Sequence, residues 1–274
     1  MAYNPAMAQP PERSALPVPA APAGLPASAP APVPAPSLVV APAPEAPTLG
    51  DLFAFMREAE LRFQSLRLRL VDRVESAAGT STTTYELWLR HPGMAKVVTR
   101  FDSAAPRGAS RVWVSDGQEV RTYDARSGAT SQRPLRPRPS GITAADLPSF
   151  AQVYVPRTSL PAESLVDTFV HPHGFCRNVL VTADLALLGT ARLRGREVYV
   201  VRAAHPRTAE VLQDRPDRWL ELAVDRASGL ILLLEEHVAD RLTRHAEVTD
   251  LDLDPALGDE VFQLHVSADV RRLF

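Results

Sequence analysis

The sequence holds one cysteine, Cys176, and one lysine, Lys96. A single cysteine excludes an intrachain disulfide framework and any zinc ribbon built on paired cysteines. Long apolar runs are missing too. Unbroken stretches reach five residues, as at 230–234, against the ~20 that a membrane-spanning helix needs. Aromatic residues make up only 6%, and they are not interleaved with basic ones as base stacking requires, so nucleic acid is not expected. Neither sign of charge prevails. With 30 Lys+Arg against 32 Asp+Glu, the formal net charge of −2 creates no global field toward polyanions or anionic membranes. No Walker loop, G-x-G-x-x-G or G-x-S-x-G occurs. No reaction and no cofactor is therefore assigned, and the chain is read as a non-enzyme.

Proline is abundant and unevenly spread. Fourteen of the 26 prolines and 14 alanines fall within residues 1–47, with only Glu12, Arg13 and Glu45 as charges. Each proline removes a helix donor and clashes with the preceding turn. This composition predicts a disordered, polyproline-biased tail over 1–47 and a folded domain over 48–274, long enough for one core. The first residues show no basic segment followed by an apolar one, as a secretory leader would. That predicts a cytoplasmic protein as written, or an extracytoplasmic one if the start is misassigned. The arginine excess suits a GC-rich genome.

Periodicity orders the rest. Thr48 is placed as a helix cap with Asp51 in the first turn. Leu52, Met56, Ala59, Phe63 and Leu66 recur at helical steps. Leu66, Leu68 and Leu70 then alternate with Arg67 and Arg69, which is strand spacing. Strands are predicted at 82–90, 94–101, 111–115 and 119–124, punctuated by Pro92-Gly93, Asp116-Gly117 and Ser127-Gly128. A proline-rich connection follows, with short helices at 142–149 and from Ser159 to Phe169. Further strands are predicted at 179–181, 185–193, 196–203, 219–225, 230–238, 241–252 and 261–266. The fold class is mainly β (α+β): a curved antiparallel sheet forming an incomplete barrel, covered by helices.

Several groups have a chemical reading beside a plain one. His171, His173 and Cys176 could ligate zinc or copper, with Asp167 as a fourth ligand, but the spacing matches no established pattern, and a turn with a buried thiol is the plainer reading; no metal site is assigned. Asp250, Asp252 and Asp254 share one strand face and could hold a cation, or simply be solvated. Glu235, Glu236 and His237 would split between two faces. Arg126, Arg133, Arg136 and Arg138 form a basic stretch that could meet phosphate or serve solubility.

Three stretches carry a resemblance. Tyr85 to Gly93 (YELWLRHPG) resembles the "L-W-x-x-R-P-(G/N)" strand and turn of LolA-like carriers. Val114 to Asp124 (VSDGQEVRTYD) resembles their "V-S-D-G-x-x-(L/V)-W-x-Y-(N/D)" hairpin. Val248 to Phe262 resembles the close of that fold, and all three occur in the family's order. The chain thus resembles the LolA/LolB/RseB superfamily, in an actinobacterial-type form. The resemblance implies binding of a hydrophobic ligand, an acyl chain or lipoprotein-like peptide, as carrier or sensor. The alternative it implies is a regulatory module for a protein partner, as in RseB-type sigma-factor regulators. The cavity candidates are Phe53, Met56 and Phe63 on the lid, and Leu66, Leu68, Leu70, Tyr85, Leu87, Leu89 and His91 on the sheet. The family's arginine before the turn proline falls on His91, with Arg90 beside it.

Overall fold

The computed structural model describes residues 38–42, 45–77, 79–102, 109–135, 156–162, 164–206 and 217–264. Thr48 caps α1 (Leu49–Arg57) as expected: its hydroxyl accepts from the Asp51 N–H. The helix stops at Arg57, earlier than the periodicity predicts, and a 3-10 turn (Ala59–Arg62) carries the chain on. Leu52, Met56, Ala59 and Phe63 are all buried regardless of that change of helix type.

The strands are β1 (Ser65–Ser76), β2 (Gly79–Arg90), β3 (Met94–Asp102), β4 (Ser110–Asp116), β5 (Glu119–Asp124), β6 (Ala129–Pro134), β7 (Asp184–Leu193), β8 (Arg196–Ala204), β9 (Arg218–Asp225), β10 (Ile231–Val238) and β11 (Arg241–Leu253). They form one antiparallel sheet in the order β6-β5-β4-β3-β2-β1-β11-β10-β9-β8-β7. Two meanders meet where the first strand pairs with the last. The sheet is open, with β6 and β7 at its edges. Between β6 and β7 lie α2 (Leu165–Val170) and α3 (His173–Asn178).

Some local expectations are corrected. The helix expected from Ser159 begins at Leu165, because the Ser164 hydroxyl accepts from the Asp167 N–H and caps it there. Residues 179–181 are not a strand; Leu180–Thr182 is a 3-10 turn with Val181 66% exposed. The closing strand gives way to a 3-10 turn, Asp259–Phe262. The 142–149 helix lies outside the described residues.

Register explains the core. Leu66, Leu89, Ala95, Ser115 and Val120 form one cross-strand row, and Leu68, Leu87, Val97 and Trp113 the next. Every member of both rows is buried. Arg67 and Arg69 point to the opposite face, across from Asp252 and Asp250. Alternation with period two leaves no other choice once one face is apolar. Two hairpin turns touch at Gly93 and Gly117. A Cβ on Gly93 would come within 2.9 Å of Gly117 Cα, and its φ of +84° suits glycine.

Candidate functional site

The candidate site is the face of the sheet that carries Leu66, Leu68 and Leu70, together with the helices packed into the same core. Leu52 and Met56 from α1, and Val166, Phe169 and Val170 from α2, join these leucines in one buried cluster. The ten residues named from the sequence are brought together here. Met56, Phe63, Leu66, Leu68, Leu70, Leu87, Leu89 and His91 are buried; Phe53 and Tyr85 are half-buried against the cluster.

The face changes character along the strands. After the two buried rows comes Leu70, Tyr85, Thr99, Arg111 and Asp124. Beyond it stand Asp72, Thr83 and Phe101, the last 37% exposed. Asp72 is buried and takes both Arg244 hydrogen bonds, at 2.9 and 2.8 Å. Burial raises the Tyr85 pKa, with the Asp72 charge adding to it. One face thus runs from hydrocarbon to paired charge.

A cluster of buried polar groups lies at the apolar end, where the helical layer meets the sheet. The Gly93 N–H donates to Thr158 Oγ1 at 2.8 Å. The Thr158 hydroxyl then serves His91 Nδ1, also at 2.8 Å. The other ring nitrogen, His91 Nε2, is buried and meets no hydrogen-bond partner among the described residues. Phe63 stacks on the ring at 5.2 Å. Burial pushes the His91 pKa down to about 4, and the Arg157 and His171 charges add to this; the Glu60 backbone opposes without a well-formed hydrogen bond. On the helical side, His171 Nδ1 pairs with Asp167 Oδ1 at 2.8 Å, and Nε2 faces Glu60 Oε2 at 3.5 Å. Glu60 is 4% exposed and accepts from the Arg157 N–H. Burial raises its pKa, against the pull of His171 and Arg157.

Sequence reasoning named His91 and His171, with Asp167 as a companion of the latter, but missed Glu60 and Thr158 as their partners. The available signal was Glu60, a carboxylate beside Ala59 on the buried stripe. His173 and Cys176 do not join His171. Burial pushes the Cys176 thiol up to about 12, so it is a core residue rather than a nucleophile. Among the described residues no group of three His, Cys, Asp or Glu gathers to hold a metal ion. Asp254 does not share a cation site either: its Oδ1 accepts from the Gln64 and Ser65 N–H groups.

Arg90 has a separate task. It points to the outer face, where it donates to the Leu257 carbonyl at 2.7 Å, pairs with Asp259 and sits 5.3 Å over the Phe262 ring. The C-terminal end of the described chain is thereby pinned to the outside of β2.

No protein-family model matches the chain, nor does any curated protein. Solved structures do. MucB is 20% identical with a TM-score of 0.45, covering 79% of this chain and 62% of its own. A LolA superfamily protein from Nitrosomonas europaea is 11% identical with a TM-score of 0.31, covering 80% and 99%. The Mycobacterium tuberculosis lipoprotein LppX is 8% identical with a TM-score of 0.38, covering 77% and 99%. These are likenesses of fold alone. The chain spans 62% of MucB's length. The cytoplasmic expectation is overturned: the similar proteins include a lipoprotein and MucB, solved also with MucA(peri), an extracytoplasmic setting. The first residues of a sequence do not settle its compartment.

Proposed function

We propose that the domain binds an amphiphile, an acyl chain or lipoprotein-like peptide, between the Leu66–Leu68–Leu70 face and the helices that cover it. The observation that carries this reading is the gradient on that face, from two buried rows that are apolar but for Ser115 to the Asp72–Arg244 pair. Hydrocarbon would lie along the leucines, at about 0.8 kcal/mol for each buried CH₂, with the polar end toward Tyr85 and Arg244. The cover is made of short pieces, and buried polar groups line its seam with the sheet. Such a seam holds less apolar area than a continuous core and separates at lower cost. The ten residues named from the sequence are the proposed wall.

The test is native mass spectrometry of the purified full chain, followed by organic extraction. A stoichiometric lipid or acylated peptide is the expected result. An apo mass, with no thermal stabilisation by palmitate or a diacylated peptide, would overturn the reading and favour the protein-partner alternative.

A further inference from the structure

β7 ends the sheet, and residues 38–42 lie along it. Ala41 is the bridge partner of Thr190. Its N–H donates to the Thr190 carbonyl at 2.8 Å, and its carbonyl accepts from the Thr190 N–H at 2.9 Å. Leu38 and Val40 pack on the core, while Val39 between them is 88% exposed. This is strand alternation in a segment too short to count as a strand. The edge is shaped to receive it. Gly189 has φ +144°, and a Cβ there would lie 2.2 Å from the Ala41 carbonyl oxygen and 3.1 Å from Val40 Cγ1.

The contacts are local to the segment and the edge. Two hydrogen bonds and two apolar side chains make up the attachment described. Pro42 ends the segment and prolines at 44 and 47 follow it in sequence, and prolines favour an extended course over a tight return. We infer that residues 38–42 exchange between two copies of this chain, Ala41 of each pairing with Thr190 of the other. A second copy's segment makes the same two hydrogen bonds and buries the same Leu38 and Val40. Only the entropy of association then opposes exchange, which is why swapped elements are a low-cost route to dimers. The edge of β7 is shielded from unspecific pairing in either arrangement.

Ala41→Cys with Thr190→Cys in the full chain tests this directly. A directly opposed, hydrogen-bonded antiparallel pair has its Cα atoms ~5.5 Å apart, which suits a disulfide. Cys176 is buried and stays out of the reaction. Isotopically heavy and light chains are mixed at rising concentration and oxidised. Disulfides joining heavy to light chains, increasing several-fold over a tenfold rise in concentration, are the expected result. Disulfides confined to single chains, or none, would overturn the inference. A second variant keeps the native cysteine content: Gly189→Val should abolish a concentration-dependent dimer in analytical ultracentrifugation. A dimer that persists in it, or a parent chain that stays monomeric throughout, also counts against exchange.

Discussion

His91 lies at the end of β2 beneath the helices, and His245 lies within β11 on the opposite face of the same sheet. Both rings are largely covered: His91 is buried, and the His245 side chain is 14% exposed. Their protonation is driven in opposite directions. His245 Nδ1 meets Glu235 at 2.8 Å and Nε2 meets Glu247 at 3.4 Å. Those carboxylates push its pKa up to about 9, and burial only partly opposes them. The His245 contact in turn holds Glu247 down at about 2. His91 has a hydroxyl and a phenyl ring for company, so burial decides and its pKa falls to about 4. The same imidazole is thus a neutral packing group in one region and a cation in the other. The choice is made by whether carboxylates meet its ring nitrogens, not by depth.

The largest expected effect separates the two regions by packing. Phe169 is fully buried between helix and sheet. Phe169→Ala should cost about 3–5 kcal/mol, because the removed ring leaves a cavity. Trp219, on the outer face, is only half-buried, stacked at 3.6 Å on His237 and overlaid by Arg202 at 4.5 Å. Trp219→Ala should cost about 1 kcal/mol, the scale of an aromatic pair. Urea unfolding of both variants measures the difference. Equal losses would mean that the helical cover is no tighter than the outer ladder.

The next effect separates them by pH. His91 is depressed from 6.5 to about 4, so its contribution is present above pH 6.5 and is lost as pH falls toward 4. His245 is raised from 6.5 to about 9, so its contribution is present below pH 6.5 and is lost as pH rises through 9. Each shift corresponds to roughly 3 kcal/mol at about 1.4 kcal/mol per unit. Glu60, raised by burial, titrates with the opposite sign to His91 and flattens the acid limb. His173, lowered by burial and then by Arg57 and Arg177, steepens it. Comparing variants isolates each residue. His91→Gln should remove most of the loss between pH 6.5 and 4.5, and His245→Gln most of the loss between 6.5 and 9. The reading rests on these slopes, whatever offset each variant adds. Unchanged slopes would show that neither ring is protonated as its surroundings imply.

The two regions also differ in how far the sequence revealed them. Leu66, Leu68 and Leu70 alternating with Arg67 and Arg69 disclosed the inner face of β1, since a half-buried strand has to alternate. β6, with the sequence ATSQRP, shows no such alternation. It is an edge strand set by backbone bonding to β5, and no apolar pattern could announce it. The Glu235–Glu236 pair splits between faces as strand geometry requires: Glu235 meets His245, while Glu236 meets Arg218 at 2.6 Å. The polar cluster was invisible for another reason. Glu60, His91, Thr158 and Asp167 come from four separate segments, and only the packing of helix on sheet makes them neighbours. His91 drew attention through its place in a motif, not through its partners.

The smallest effect lies at the rim of the outer ladder and tells charge from stacking there. Arg202 donates to Glu221 at 3.0 Å, yet its side chain is 46% exposed. An ion pair so open to water is worth about 0–1 kcal/mol. The same guanidinium sits over Trp219, 4.5 Å from the ring centroid. Arg202→Lys keeps the charge and loses the planar group, so a loss of about 0.5 kcal/mol is expected. Repeating the unfolding measurement in 1 M salt screens the pair but not the packing, since the Debye length there is only ~3 Å. If the loss survives high salt, the ring contact supplies it. If it vanishes, the ladder is held by charge alone, and its contrast with the neutral His91 cluster is sharper than burial suggests.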